Sequence, residues 1–600
     1  MSQLFKKFCR QLLSFVCDQY IVLFLILTTA YKQFLFNSNI LNKGEWLTPQ
    51  IFFIIFSSAV IFSPLFFIRR HKNKIAILLS FFISFLLIVD TVYFSYFSAL
   101  PSVGLLGSLG QTESIGPAIV ALIEWWFILY FIDIALVLIS YKPLKKFFDK
   151  LRIKFKIKKT DIKTTWVIFA LLLVGLWVSL MNIGGIGELA GVFEKGYDTV
   201  STSNNYGVLA AHGIDVARFI REETTSLSSK DKNALNSWVN NNRQKQTTDS
   251  LTGVAKGKNV IIIQIESLGG FVINQKIDGK EITPNLNVLA KSSQYFPNDR
   301  FIIGEGHTSD TDFVVNSSYF PLDDAAVFVR FGHDNFTSLP KTLITNGYSA
   351  DAYHGFNRNF WNRNVALKSL GYQKFYAADN YPKGFDINMG LNDGTFLSKT
   401  AEYIKNQPKP SFSYAITLSS HVPFSTNEQT DKLGVDKNKY PDQVGGYLDD
   451  INYTDSMLGN FFDKLKSEGL YDDSLILVYG DHTPVLPAFS AGTINYDPNS
   501  VQEKEVPLTI KLPNETVGET HPEQGTHLDI MPTILDLLGI KTNQLMFGQS
   551  LFAEGKNALK VCSDQMVAFQ SSINCNDMLT IEKNKSSTII RYNQFKNLPK

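Results

Sequence analysis

The stretch 259–266, NVIIIQIE, decides how the second half of this chain folds. It is a continuous apolar run of strand length, the pattern of a strand covered on both faces, as in parallel sheets. Two further runs read the same way: 411–419 (SFSYAITLS) and 474–479 (SLILVY). Helix-compatible stretches such as 449–468 separate them. Strands alternating with helices predict an α/β domain with a mostly parallel sheet. In such sheets the chemistry lies beyond the carboxyl ends of the strands.

That rule selects residues. The first run ends in Glu266 and Ser267, the second in Ser419, Ser420 and His421, and the third in Gly480, Asp481 and His482. Any one of these ends is weak, because an Asp-His pair after a strand is common. Together they bring carboxylates and imidazoles to one rim, a donor set suited to a divalent ion such as Mn, Mg or Zn. A nucleophile candidate lies in 304–313, GEGHTSDTDF, where glycines precede Thr308 and a helix is predicted from Ser309. A hydroxyl at a helix N-terminus sits where backbone N–H groups favour an anion, and a nearby metal would activate it. The plain alternative is that Thr308 only caps the helix, with Asp310 or Thr311 completing the cap.

Outward from these motifs, the 600 residues split into two unlike halves. Residues 1–185 are dominated by Phe, Ile, Leu and Val, whereas the remainder has the composition of a soluble domain. The net charge of +2 gives no case for nucleic acid. A membrane helix needs roughly 20 apolar residues to cross about 30 Å of hydrocarbon. Five candidate spans follow: 20–36, which carries Lys32, then 51–68, 75–97, 117–140 and 165–183. Lys6, Lys7 and Arg10 precede the first, Arg69, Arg70, Lys72 and Lys74 separate the second and third, and 141–165 holds ten Lys and Arg. The loops 37–50 and 98–116 hold only Lys43. Basic loops favour the cytoplasmic side, so five spans place residue 186 onward outside. Asp90, Glu124 and Asp133 fall inside predicted spans, where ionisable groups are costly and often functional. No cleavable leader is evident. Cys9, Cys17, Cys562 and Cys575 form no CxxC pair, so a zinc or thioredoxin-type site is not expected. A Cys562–Cys575 disulfide is expected in the outer domain, with Cys9 and Cys17 reduced near the cytoplasmic face.

The order of motifs now matters. Glu266 after an apolar strand, then Gly-x-Gly-x-Thr-Ser-Asp, His-Gly…Phe-Trp-Asn-Arg, Ser-Ser-His-x-Pro-Phe and Tyr-Gly-Asp-His, resembles the lipoteichoic acid synthase family. These are glycerol-phosphate transferases of the alkaline phosphatase and sulfatase superfamily. The resemblance covers about residues 20–550, the five spans included, and its specificity lies in the set of motifs rather than in any one. It implies a five-helix transmembrane bundle over 1–185, a helical connector over 186–257, an extracytoplasmic sulfatase-like α/β domain over 258–555 and a C-terminal extension over 556–600. It also implies a site. Glu266, Thr308, Asp481 and His482 would bind one metal, Mn²⁺ in the family, with Mg²⁺ or Zn²⁺ as alternatives. Thr308 would be the nucleophile. His354, Trp361, Arg363 and His421 would hold the glycerol phosphate head group. The chemistry of these side chains agrees: Arg363 can pair with phosphate oxygens, His421 can protonate a leaving alkoxide and Trp361 can wall the glycerol.

The implied activity is transfer of glycerol phosphate from phosphatidylglycerol to an envelope polymer or glycolipid through a phospho-threonine, releasing diacylglycerol, at a bacterial cell membrane. There are departures from the family pattern. His307 precedes the threonine where a Lys or Arg is expected, which bears on the acceptor. His527 stands where two-metal relatives place a further ligand, but no Asp-x-x-x-His partner accompanies it, so one metal is expected and His527 is assigned a supporting place. Two rivals remain at this level. One is a phosphoethanolamine transferase, a group with more histidines and disulfides in the outer domain. The other is a non-catalytic membrane scaffold, against which the intact Glu266, Thr308, Asp481 and His482 set argues.

Overall fold

The computed structural model describes residues 2–41, 46–97, 100–103, 123–185, 199–224, 226–242, 249–424, 430–435, 439–440, 443–500, 504–522, 525–553, 559–562, 565–568 and 575–598. They fall into two compact units, which part at residues 224 and 225.

Five helices of the first unit are long and apolar enough to cross a membrane: Cys9–Asn39, Thr48–Phe66, Lys72–Ser95, Trp125–Phe155 and Ile162–Ile183. The first belongs to helix α1 (Ser2–Asn39), which starts well before the expected residue 20. A run of apolar residues marks where lipid is met, whereas the backbone hydrogen bonds of a helix continue into polar sequence. Helices α2 (Thr48–Phe62), α3 (Lys72–Phe97), α4 (Ile132–Phe155, entered by the 3-10 turn Trp125–Phe131) and α5 (Ile162–Ile183) supply the others. Residues 117–122 of the expected fourth span lie outside the described residues.

Three buried ionisable groups of these helices, Lys32, Asp90 and Asp133, are paired. Lys32 Nζ on α1 donates to Asp133 Oδ1 on α4 at 2.7 Å and to Ser84 Oγ on α3 at 2.7 Å. Asp133 Oδ2 accepts from Thr28 and Ser80 at 3.0 and 2.9 Å. Asp90 on α3 faces His212 Nε2 at 3.0 Å. Glu124 is exposed and accepts from Trp126 Nε1 at 2.6 Å. Of the expected connector, α6 (Thr199–Tyr206) and α7 (Val208–Thr224) belong to this first unit, and α8 (Ser229–Asn242) to the second.

The second unit is built on one mixed sheet. Its strands are β1 (Asn259–Ile265), β2 (Gln294–Arg300), β3 (Ser349–His354), β4 (Lys374–Tyr376), β5 (Ser411–Ile416), β6 (Ser474–Gly480), β7 (Glu505–Lys511), β8 (Glu519–Thr520) and β9 (Gly525–Thr526). Their order is β8-β2-β7-β6-β1-β5-β3-β4, with β9 also on β2. The central run β6-β1-β5-β3-β4 is parallel, β7 pairs antiparallel with β6, and β2 pairs antiparallel with β7. All residues of β1, β5 and β6 are buried, which is why these strands read as unbroken apolar runs. The register pairs Ile265 with Gly480, Gln264 with Ile416, and Ile416 with His354, so four carboxyl ends share one rim.

Helices α9 (Thr308–Ser317), α10 (Arg363–Leu370), α11 (Asp393–Asn406) and α12 (Val444–Ser467) return the chain between strands. The C-terminal helix α13 (Cys575–Arg591) and its continuation add Ile589, Ile590 and Phe595 to the core of this unit. Ser586 Oγ donates to the Phe320 carbonyl at 2.7 Å, and Lys583 pairs with Asp323 at 2.7 Å. The side chains of Cys562 and Cys575 lie outside the described residues, so their expected disulfide does too. Cys9 and Cys17 are free.

Candidate active site

The turns that leave β1 and β6 interlock. Asp481 N donates to the Ile265 carbonyl at 3.1 Å, and Ser267 N donates to Asp481 Oδ1 at 2.8 Å. His482 N donates to the same oxygen at 2.7 Å. Gly480 is required here, because a Cβ would stand 2.1 Å from the Leu268 carbonyl oxygen. With Oδ1 so engaged, Asp481 Oδ2 is buried without a hydrogen-bond partner among the described residues. Its neighbours are His482 Nε2 at 3.6 Å and, from that nitrogen, Glu266 Oε1 at 3.5 Å. Ligand atoms of Glu266, Asp481 and His482 all lie within 4.8 Å of one another, and all three residues are buried. An orphaned carboxylate oxygen beside a second carboxylate and an imidazole is a donor set that fits a divalent cation.

The electrostatics tell the same story without the ion. Burial and the Glu266 charge push the Asp481 carboxyl well above the ordinary carboxylate range. Burial would raise Glu266 too, but the His421 and His482 charges with the Ser267 hydroxyl overcome it and hold that carboxyl below its usual value. Burial opposes charge on His482, yet Asp481 and Glu266 outweigh it and raise the imidazole above 6.5.

Thr308 opens α9 at the same point. Its hydroxyl donates to Glu266 Oε2 at 3.2 Å. The residue preceding the helix is His307, in a positive-φ conformation (φ 42°) and without a side-chain cap, so Thr308 is inside the helix and its oxygen faces the metal ligands instead of capping. The loop before it is held by Asp310, whose Oδ2 accepts from Gly304 N and Gly306 N at 2.9 and 2.8 Å. Burial pushes the Asp310 carboxyl up to about 7. Thr311 Oγ1 donates to the Asp481 carbonyl at 3.0 Å, tying α9 to the β6 turn. Burial, with the neighbouring His482 and His421, keeps the His307 imidazole neutral, and its ring stands edge-on to His482 with centroids 5.8 Å apart.

A second wall comes from β3, β5 and the turn before α10. His354 ends β3, and its Nδ1 faces the Ile416 carbonyl at 3.0 Å. Since a carbonyl only accepts, Nδ1 carries the proton and Nε2 accepts, which is where Arg363 Nη1 donates at 3.2 Å. Arg363 Nε donates to Asp312 Oδ2 at 2.8 Å, and Nη2 is buried with no partner among the described residues. Trp361 and Asn362 both take positive φ (52° and 56°), a strained turn of the kind found at binding sites. Trp361 packs against Phe356, Phe360 and Leu418. His421 is buried, and its Nδ1 donates to the Val422 carbonyl at 2.5 Å. Ser420 Oγ donates to the Glu266 carbonyl at 2.5 Å, joining the His421 turn to the metal ligands.

His527 lies one layer behind. Its Nε2 is 3.0 Å from the Gly480 carbonyl, and burial lowers its imidazole to about 3. It therefore supports the turn that carries Asp481. Three residues of the site escape inspection of strand ends: Asp312 in α9, Gln264 in β1 and Tyr414 in β5. Gln264 was the available signal, an amide in the middle of an otherwise apolar buried strand.

Comparison with known proteins bears on the family and the fold. Residues 258–540 match the sulfatase family, and residues 1–227 match the lipoteichoic acid synthase N-terminal domain. The chain is 33% identical over 497 residues to the lipoteichoic acid synthases of Staphylococcus aureus strains bovine RF122 and USA300, a match covering 80% of this chain and 74% of theirs. Among solved structures, the lipoteichoic acid synthase LtaP from Listeria monocytogenes superposes with a TM-score of 0.50 at 23% identity, over 62% of this chain and 99% of that one. The fold is thus that of the sulfatase-like α/β domain, preceded by five apolar helices.

Proposed function

The chain belongs to the lipoteichoic acid synthase family of the sulfatase and alkaline phosphatase superfamily, and from that premise we propose that it transfers glycerol phosphate from phosphatidylglycerol to a hydroxyl of an envelope polymer or glycolipid. The observation that carries this reading is the placement of the Thr308 hydroxyl on Glu266, inside the Glu266–Asp481–His482 cluster.

Glu266, Thr308, Asp481 and His482 are proposed to hold one Mn²⁺, the family's ion, which when bound favours the alkoxide of Thr308. Thr308 Oγ attacks phosphorus, a new O–P bond forms, and the bond from phosphorus to the diacylglycerol oxygen breaks. His421 is proposed to give that oxygen its proton. The glycerophospho-threonine is then attacked by the acceptor hydroxyl: a new O–P bond forms, the bond from phosphorus to Thr308 Oγ breaks, and the acceptor's proton passes to the now-neutral His421. Arg363 Nη2 is proposed to hold a phosphate oxygen, and Trp361 covers the glycerol. His354, expected on the head group, has both ring nitrogens taken by the Ile416 carbonyl and Arg363 Nη1 and steadies the guanidinium instead. The helix dipole of α9 adds favourable field at the transferring group.

The alternation of basic and non-basic loops supports a topology with the second unit outside the cytoplasm. Protease added to spheroplasts should then release a soluble fragment beginning between residues 185 and 250. Cleavage within 141–165 would invert the orientation. The reaction is tested by incubating the purified full chain with head-group-labelled phosphatidylglycerol and, in parallel, phosphatidylethanolamine. Peptide mass spectrometry should find glycerol phosphate on Thr308. Label from phosphatidylethanolamine alone would transfer the chain to the phosphoethanolamine class, and label from neither would favour a scaffold.

A further inference from the structure

We infer that Asp312 is a positioning residue for phosphate recognition: a buried carboxylate, one helical turn beyond the nucleophile, that aims Arg363 at the transferring group. The inference rests on the proposed reaction for the identity of the donor, but its geometry is independent of that identity.

Both carboxylate oxygens of Asp312 are engaged, each in a particular direction. Oδ2 accepts Arg363 Nε at 2.8 Å. Oδ1 accepts Gln264 Nε2 from β1 and the Tyr414 hydroxyl from β5, each at 3.0 Å. The Gln264 amide is itself fixed, because its Oε1 accepts from Tyr479 at 3.0 Å and lies 2.6 Å from the Tyr414 oxygen, whose single proton it shares with Asp312 Oδ1. The carboxylate thus cannot rotate without breaking bonds to two strands of the sheet. On the other side, Arg363 Nη1 is held by His354. A planar guanidinium pinned at Nε and Nη1 has one orientation, and in it Nη2 is buried without a partner among the described residues. A buried, unpaired guanidinium nitrogen is costly unless an acceptor arrives, and a phosphate oxygen is the acceptor for which the fork is shaped.

The place of the pair in the fold makes a role in packing alone a poor account. Asp312 and Arg363 are 0% and 1% exposed at their side chains. Burial pushes the Asp312 carboxyl up despite the Arg363 charge beside it. Apolar residues of similar volume usually serve stability as well as a buried ion pair does. What an apolar pair would lose is a fixed relation between the nucleophile and the phosphate grip. Thr308 and Asp312 are four residues apart on α9, so they lie on one face about 6 Å apart along the axis. Any tilt of α9 that moves Thr308 carries Arg363 with it. Attack geometry is sensitive to about 1 Å, so such rigid coupling bears on rate as well as on binding.

The test is a double-mutant cycle on the manganese-loaded full chain in detergent, with Asp312→Asn, Arg363→Lys and the double variant. Two quantities are read: affinity for inorganic phosphate by calorimetry, and kcat/KM with labelled phosphatidylglycerol. Asp312→Asn alone is expected to lower kcat/KM by about 10²-fold and phosphate affinity by about tenfold. In the Arg363→Lys background the same change should alter either quantity by less than about threefold, because the residue acts through the Arg363 fork. Losses that multiply in the double variant, or wild-type values for Asp312→Asn, overturn the assignment. Should Asp312→Asn not fold, Tyr414→Phe removes one of the bonds that orient Asp312 and must show the same dependence on Arg363. Coupling in phosphate binding without turnover of phosphatidylglycerol by the wild type sinks the donor identity and leaves the positioning role standing.

Discussion

Thr308 Oγ1 lies 3.2 Å from Glu266 Oε2, so a hydroxyl that opens α9 and a carboxylate that follows β1 meet at one point. Removing the hydroxyl should separate chemistry from metal binding. Thr308→Ala is expected to lower kcat by at least about 10³-fold while bound metal stays near one equivalent. Glu266, Asp481 and His482 remain to hold the ion, with water in place of the threonine oxygen. Asp481→Ala should lose both activity and metal. Metal analysis of the two purified variants checks this, and equal metal loss in both would sink the assignment of Thr308 as nucleophile.

The cluster also predicts how metal affinity moves with pH. His482 is raised above 6.5 in the metal-free chain by Asp481 and Glu266 against the effect of burial, and Asp481 is raised well above 3.8 by burial and Glu266. A group raised on folding stabilises the folded state below its unfolded pKa and gives that stability up as pH rises through its folded pKa. The metal-free protein should therefore lose stability as pH rises, beginning above 3.8 for the Asp481 contribution and above 6.5 for that of His482. Glu266, held low, acts in the opposite sense, but its contribution is lost only in acid, below 4.5. Metal binding needs these groups deprotonated, so affinity climbs over the same range. The gap in melting temperature between manganese-loaded and chelated protein should widen from about pH 6 to about pH 8. A gap that narrows over this range would count against His482 as a ligand.

Much of this site was legible because strands of a parallel sheet aim their ends at one rim. Glu266, Asp481 and His482 follow β1 and β6, and the register confirms that Ile265 and Gly480 are neighbours. Thr308 was legible as a hydroxyl at a helix start, and the family resemblance already grouped it with Glu266, but the residues alone could not pair them, since Glu266 lies far off in the chain and only folding brings the two together. Asp312 was invisible for a similar reason. An acid in a helix interior reads as solvated, and nothing in its spacing says that β1 and β5 cover it. The membrane half shows the same limit. Apolar runs gave five spans, while the extension of α1 back to Ser2 and the partner of Lys32 depend on helix propensity and packing that hydropathy does not encode.

Arg363 offers a sharper test of phosphate recognition than its removal would. Arg363→Ala would leave Asp312 as an uncompensated buried charge, a loss of about 3–5 kcal/mol that confuses folding with function. Arg363→Lys keeps the charge beside Asp312 but replaces the planar fork with a single ammonium, which cannot serve Asp312, His354 and phosphate together. Folding should survive, and kcat/KM for phosphatidylglycerol should fall by about 10²-fold. Circular dichroism and steady-state kinetics on one preparation suffice. Wild-type kinetics in Arg363→Lys would show that a point charge is enough and that the fork plays no part.

Within the membrane unit, Lys32 on α1 and Asp133 on α4 make an ion pair of 2.7 Å with side chains 7% and 2% exposed. Ser84 shares the ammonium, and Thr28 and Ser80 share the carboxylate. The pair therefore ties α1, α3 and α4 at one level. Taking away one charge strands the other among hydroxyls that cannot neutralise it. Lys32→Met and Asp133→Leu should each destabilise the unit, by about 3–5 kcal/mol if the site is as dry as a soluble core. The loss would be nearer 1 kcal/mol if polar partners remain in the membrane-inserted unfolded state. The double variant, with two apolar side chains in contact, should recover most of the loss, because an apolar pair has no charge to desolvate. Melting of the four proteins in the same detergent, followed by a tryptophan signal, measures this. A double variant no more stable than the worse single would mean that the hydroxyl network, not the ion pair, holds these three helices together.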